Sequence, residues 1–265
     1  MKVGVKTYND ENFLDHFRNK CDFFEVQAIQ ENDYDFLKNF KKPMVIHAEH
    51  QGFGVNACDP GLKAKNLKSI NFARKLADSV GAKNIILHAG MLLNDKCSKE
   101  VSVKFVKSIN DKRIIIENHS SYSKGLGSTP EKMKEFLDLT GAGFCFDFNH
   151  AISSARQGKL DEFKMIKEFI KLKPRHYHLG GQRFINILGL YKKDITHLAF
   201  MDSDIDLKRI VKLIPSSGTV TLETAMGISK VEDDLGIMKK LGWKGFIGKG
   251  VIKNGSERGK KVKKG

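Results

Sequence analysis

The chain has 265 residues, 40% of them hydrophobic and 29% charged, which suits a globular protein long enough to bury one large core. No apolar run approaches the roughly 18 residues that span a bilayer, and the opening MKVGVKTYND reads as a strand and polar turn rather than a signal peptide, so we expect no membrane contact and a cytoplasmic location. The formal charge of +15 invites a nucleic-acid partner, yet residues 244–265 alone hold eight Lys/Arg against one Glu, so about half the excess sits on a Gly- and Lys-rich tail expected to be flexible.

In chain order, strands are expected at residues 2–7, 23–28 and 44–48, then a helix at 61–80, a strand at 84–89, a helix at 101–110 and a strand at 113–118. A helix at 130–139, a strand at 143–148, a helix at 159–171, strands at 175–179 and 219–224, and a helix at 230–241 complete the series. Several strands read as continuous apolar runs (IILHA, IIIEN, VTLET), the pattern of parallel strands covered on both faces. The helices repeat apolar residues every three or four positions, and Ser128-Thr129-Pro130-Glu131 places capping hydroxyls before a proline in the first turn. Eight βα units point to an α/β protein built as one (β/α)₈ TIM barrel over residues 1–243, rather than an open doubly wound sheet. No Gly-rich phosphate loop follows any strand, which disfavours a nucleotide-dependent enzyme. Cys21, Cys58, Cys97 and Cys145 lie far apart and read as reduced thiols, not a disulfide framework.

What ends the strands is more informative. Strands three to eight close with MVIHAEH, IILHAG, IIIENHS, GFCFDFNHA, RHYHLGG and VTLETAM, delivering His47, His88, Glu117, Asp147, His178 and Glu223. In a barrel these edges surround one mouth. A single histidine after an apolar run is usually a hydrogen-bonded core residue, but buried carboxylates are rarely tolerated unless paired or metal-bound. Six consecutive strands therefore argue for a metal centre, and imidazole mixed with carboxylate suits zinc, manganese or iron. His150, three residues after Asp147, and His197 can add ligands above the ring, and His50 and His119 lie on loops of the same face. His16 and His176 fall elsewhere, His176 deeper in the barrel.

The order HxxH around strand three, HAG after strand four, ExN on strand five, DxxH on strand six, HL on strand seven and LET on strand eight resembles the endonuclease IV family of xylose-isomerase-like TIM barrels, over nearly the whole chain except the tail. The resemblance implies hydrolysis of DNA beside an abasic site by two or three zinc ions, in a monomer. It implies that His47, His88 and Glu117 hold one ion. Glu117 would bridge to a second ion on Asp147, His178 and Glu223, and His150 and His197 would serve a third. It also implies substrate contacts from His50, Asn118 and Asp202, with Glu117 and Glu223 as the catalytic carboxylates. The family's aspartate two residues before its histidine is replaced by Ile195, with Asp194 one position off, and its Asn-Asp pair after strand seven is Gly180-Gly181. The Gly-rich loop after strand one is a short TYNDENF, and a DNA-probing tyrosine corresponds to His50. An alternative in the same superfamily is a sugar or sugar-phosphate isomerase or epimerase. It would hold one divalent ion, manganese or another, on Glu117, Asp147, His178 and Glu223, with the two glutamates moving protons on a small sugar. A third alternative is a barrel that binds without turnover.

Overall fold

In a computed structural model, which describes residues 1–187, 191–225 and 227–245, eight parallel strands close into a barrel. They are β1 (Lys2–Thr7), β2 (Phe23–Gln27), β3 (Met44–His47), β4 (Ile85–His88), β5 (Ile114–Glu117), β6 (Gly143–Asp147), β7 (His176–Leu179) and β10 (Thr219–Leu222). Strand order follows the chain around the barrel, with β10 closing between β7 and β1. The single TIM barrel expected from the strand count is therefore the fold. Residues 246–265, most of the basic tail, lie outside the described residues. No helix among the described residues is long and apolar enough to cross a membrane.

The surrounding helices are α1 (Glu11–Phe17), α2 (Lys63–Val80), α3 (Lys99–Ile109), α4 (Pro130–Thr140), α5 (Phe148–Gly158), α6 (Glu162–Lys171), α7 (Leu207–Val211) and α8 (Ile228–Lys240). The helix expected at 159–171 is corrected to α6 alone, entered by the Asp161 cap, while α5 starts with no loop at all on the end of β6. Asp147 is both the last strand residue and the α5 N-cap, its Oδ1 accepting from His150 N at 2.7 Å. A strand and helix sharing one residue leave no turn signal, which is why α5 is invisible to periodicity. An unanticipated antiparallel ribbon, β8 (Gly181–Ile187) and β9 (Tyr191–Leu198), follows β7. Between the Gly181–Leu198 and Arg183–Ile195 pairs, β9 carries one residue more than β8, and His197 within this bulge has φ 59°. Such bulges re-aim a side chain out of the strand alternation.

Inside the barrel, two zones follow from the inward parity of each strand. Below, Phe23, Val45, Ile86, Ile115 and Cys145 form a buried apolar plug. The Phe23 ring lies so close to Gly4 that a Cβ there would stand 2.4 Å from it, so β1 must carry glycine opposite the plug. Above, each strand's next inward residue is polar, and register sets Lys6 beside Glu25, His88 beside Glu117 and Asp147 beside His178. The functional residues thus rest on a rigid base.

Candidate metal centre

Glu117 is the hub of the upper zone. Its Oε2 lies 3.0 Å from His47 Nε2 and 3.0 Å from His88 Nε2, and its Oε1 lies 3.3 Å from both His150 Nδ1 and His178 Nδ1. His178 Nδ1 also lies 3.2 Å from Glu223 Oε1 and 3.9 Å from Asp147 Oδ2. Three ligand groups result, each with its donor atoms within 4.8 Å of one another: Glu25, His47, His178 and Glu223; His47, His88 and Glu117; and Glu117, Asp147 and His150.

The backbone fixes which nitrogen of each ring can accept a cation. His47 Nδ1 donates to Ala48 O at 2.7 Å, so in the neutral ring Nε2 carries the lone pair and faces the Glu117 carboxylate. Two acceptors aimed at each other across 3.0 Å need a cation or a proton between them. His178 is oriented the other way, because its Nε2 donates to Glu25 Oε2 at 3.0 Å and leaves Nδ1 toward Glu117 and Glu223. Buried Asp147 Oδ2 and His88 Nδ1 have no hydrogen-bond partner. An unpartnered, buried carboxylate oxygen beside imidazole nitrogens that face the same space fits the residues of a divalent-ion site.

Electrostatics agree. Burial and the charges of Glu223 and Glu117 push the Asp147 carboxyl up to about 8. Burial opposes the charges of Glu25 and Glu117, but His178 and Lys6 outweigh it at Glu25, and His88 and His178 outweigh it at Glu117, so both stay well below the ordinary range. Burial likewise opposes Glu223, which His178 and Lys6 hold at about 2. Burial opposes the charge of His178, but Cys145 beside it and the carboxylates of Glu223, Glu25 and Glu117 raise it well above its ordinary value. Without an ion, protons on Asp147 and His178 neutralise the ring, and a cation takes over that role.

A cavity of about 320 Å³ opens over the ring, lined among others by Lys6, His50, His88, Glu117, His119, His150, His197 and Glu223. His47, His88, Glu117, Asp147, His150, His178 and Glu223 are therefore brought together. His197 reaches the cavity but joins none of the three groups, and the carboxylate beside it is Glu223, 3.5 Å from its Nδ1. Asp194 precedes the bulge and turns to Arg156, whose Nη1 donates to it at 2.6 Å, so it does not stand in for a carboxylate at Ile195. Of the expected substrate contacts, His50 lines the cavity. Asn118 does not fit that role: it is fully buried, and its amide is committed to the backbone N and O of Asp147 at 2.7 and 2.9 Å. Asp202 lies off the cavity lining, paired with Lys230 at 3.3 Å.

Two residues escaped the strand-end reading. Glu25 is fully buried beneath the ring, where its Oε2 accepts from Thr221 Oγ1 at 2.7 Å and faces His176 Nε2 at 3.2 Å as well as His178. Lys6 Nζ bridges Glu223 at 2.5 Å and Glu25 at 3.3 Å; burial opposes its charge, but these carboxylates raise its pKa. The signal was present as a charged residue inside an apolar run, in the middle of FFEVQ and next to last in VGVKT. Burial, with His88 and a further histidine adding to it, also pushes His50 and His119 down to about 3, so both are neutral.

A family model described as xylose isomerase-like TIM barrel matches residues 21–241. No curated protein matches the sequence significantly. Among solved structures, endonuclease IV from Thermus thermophilus is similar with a TM-score of 0.69 at 14% identity, covering 91% of this chain and 98% of the other. A D-tagatose 3-epimerase-like protein gives 0.68 at 16% identity over 91% and 97% of the two chains. The IOLI protein with a binding zinc atom gives 0.63 at 15% identity over 91% and 96%. At such identities the likeness speaks for the fold.

Proposed function

This chain belongs to the xylose isomerase-like TIM barrel family, and within it we propose a divalent-metal-dependent phosphodiesterase of endonuclease IV type that acts on DNA at abasic sites. The observation that carries this reading is the sharing of Glu117. Its Oε2 faces His47 and His88 and its Oε1 faces His178, and the same carboxylate belongs both to the group with His47 and His88 and to the group with Asp147 and His150. Zinc fits this imidazole and carboxylate set. Ions bound there would supply Lewis acidity to phosphate oxygens and acidify a water molecule. For its part, the chain holds His178 in place through Glu25, sets Lys6 against Glu223, and keeps Asp147 as a fixed helix cap. The +15 charge favours an anionic polymer as partner.

The sugar isomerase or epimerase reading keeps one observation in its favour. His150 and His197 share no carboxylate, so a third ligand group is not assembled between them, while His178 Nδ1 stands 3.3 Å from Glu117, 3.2 Å from Glu223 and 3.9 Å from Asp147, the four residues that a one-ion enzyme would use. Metal analysis together with nicking of an abasic-site duplex separates the two. Two or more zinc ions per chain and EDTA-sensitive nicking are expected. Full metal loading without nicking, with ketoses exchanging their α-proton with solvent at one ion per chain, would overturn the hydrolase.

A further inference from the structure

We propose that His50 and His119 form a paired subsite for phosphate oxygens at the rim of the cavity, each ring locked with its Nε2–H as a hydrogen-bond donor. The backbone sorts the histidines of the mouth into two kinds. His47, His150 and His197 turn Nδ1 toward backbone carbonyls of Ala48, Asn118 and Glu223, at 2.7, 2.8 and 3.2 Å, so each neutral ring keeps its lone pair on Nε2. His50 and His119 do the reverse. Gly52 N donates to His50 Nδ1 at 3.2 Å, and Ser121 N donates to His119 Nδ1 at 3.1 Å. A backbone amide can only donate, so Nδ1 holds the lone pair in both rings and the hydrogen resides on Nε2. The first kind suits a cation. The second suits an acceptor.

Both donor rings are held by glycines that no other residue could replace without movement. A Cβ on Gly52 would stand 2.9 Å from His50 Cε1, and one on Gly125 would stand 2.6 Å from His119 Cβ. The two rings flank His88, with centroids 5.6 and 6.0 Å from its ring, and both line the cavity above Glu117. The Gln51 amide nitrogen stands 3.4 Å from His119 Nε2, and with the hydrogen on that ring nitrogen the Gln51 amide must turn over to offer its oxygen there. Fixed neutral donors beside a metal ring select a group made only of acceptors, as the oxygens of a phosphate are.

This inference rests on the phosphate chemistry proposed above, and its test reads binding rather than turnover. Inorganic phosphate is titrated calorimetrically into the full-length, zinc-loaded protein. The double variant His50→Leu/His119→Leu, which removes both donors, is expected to weaken phosphate binding by about tenfold or more with unchanged zinc content. His50→Gln/His119→Gln, which keeps an amide donor at each place, should stay within about threefold. Equal affinity in the Leu variant and the parent, or equal loss in the Leu and Gln variants, would overturn the subsite. Should the Leu variant fail to fold, long-range ¹H–¹⁵N correlation on the parent decides, since an Nδ1–H tautomer at either ring refutes the assignment. Competition by ribose 5-phosphate against an abasic duplex tells a monoester from a diester source. Phosphate binding through both rings without nicking would reject the phosphodiesterase while leaving the subsite standing.

Discussion

Replacing Asp147 with Asn should make the metal-free protein more stable and abolish its response to zinc. The buried Asp147 carboxyl is raised to about 8 by burial and by Glu223 and Glu117, whereas an exposed aspartate titrates near 3.9. The sign follows from linkage. A raised folded pKa gives a contribution fully present below the unfolded value and lost as pH rises through the folded one. At pH 7 that loss is on the order of 4 kcal/mol, from about three pKa units at about 1.4 kcal/mol each. Asn keeps the Oδ1 that accepts from His150 N at 2.7 Å, and it puts an NH₂ where the unpartnered Oδ2 faced like charge. Thermal denaturation after EDTA treatment should therefore show Asp147→Asn melting on the order of 10 °C higher at pH 7. The gap should close toward pH 4. Zinc at about 100 times its dissociation constant should stabilise the parent by about 2.7 kcal/mol and the variant by far less. A variant less stable than the metal-free parent at pH 7, or a gap constant between pH 5 and 8, would refute the reasoning.

Three further outcomes are expected. Glu25→Gln should weaken zinc binding by about 10- to 100-fold in chelator competition, because Glu25 fixes the His178 ring from behind; unchanged affinity would make Glu25 a packing residue only. Zinc affinity should tighten by more than tenfold per pH unit as pH rises toward about 8, the value of Asp147, since both Asp147 and the raised His178 must lose a proton to ligate; calorimetry in buffers of different ionisation enthalpy counts the protons, and a flat profile would contradict it. Gly4→Ala should cost about 1–3 kcal/mol in urea denaturation, because its Cβ would stand 2.4 Å from the Phe23 ring, and Phe23→Leu should relieve part of that cost.

The barrel was legible because parallel strands covered on both faces read as apolar runs, and the run ends mark the mouth. His47, His88, Glu117, Asp147, His178 and Glu223 were found by this rule, and they converge in space. Lys6 and Glu25 were not: Lys6 is next to last in β1 but is not a ligand type, and Glu25 sits in the middle of β2, where only the inward parity of FFEVQ betrays it. Asn118 was read with the mouth residues from its place in the chain alone. It adjoins Glu117 in sequence, but successive strand residues point to opposite faces, so it turns away from the cavity and clamps β6. The β8–β9 ribbon and its bulge carry no periodicity that a helix-or-strand reading of residues 181–198 would separate from a loop.

The bulge is also where this chain departs most from the pattern it resembles. His197 reaches the cavity only because an extra residue and a φ of 59° turn it there, a conformation uncommon outside glycine that persists when surrounding structure enforces it. Asp194 is left to neutralise Arg156, together with Glu162, at 2.6 and 2.7 Å. A carboxylate is thereby spent on holding the ribbon to α5 rather than on an ion between His150 and His197. The cation nearest Glu223 is instead Lys6, which supplies positive charge from β1 without a ligand set. With Glu25, Glu117, Asp147 and Glu223 as the carboxylates and Lys6 as the fixed cation, one divalent ion leaves the ring slightly negative and two leave it slightly positive, whereas a third would leave it strongly positive. The arrangement of charges thus disfavours a third ion.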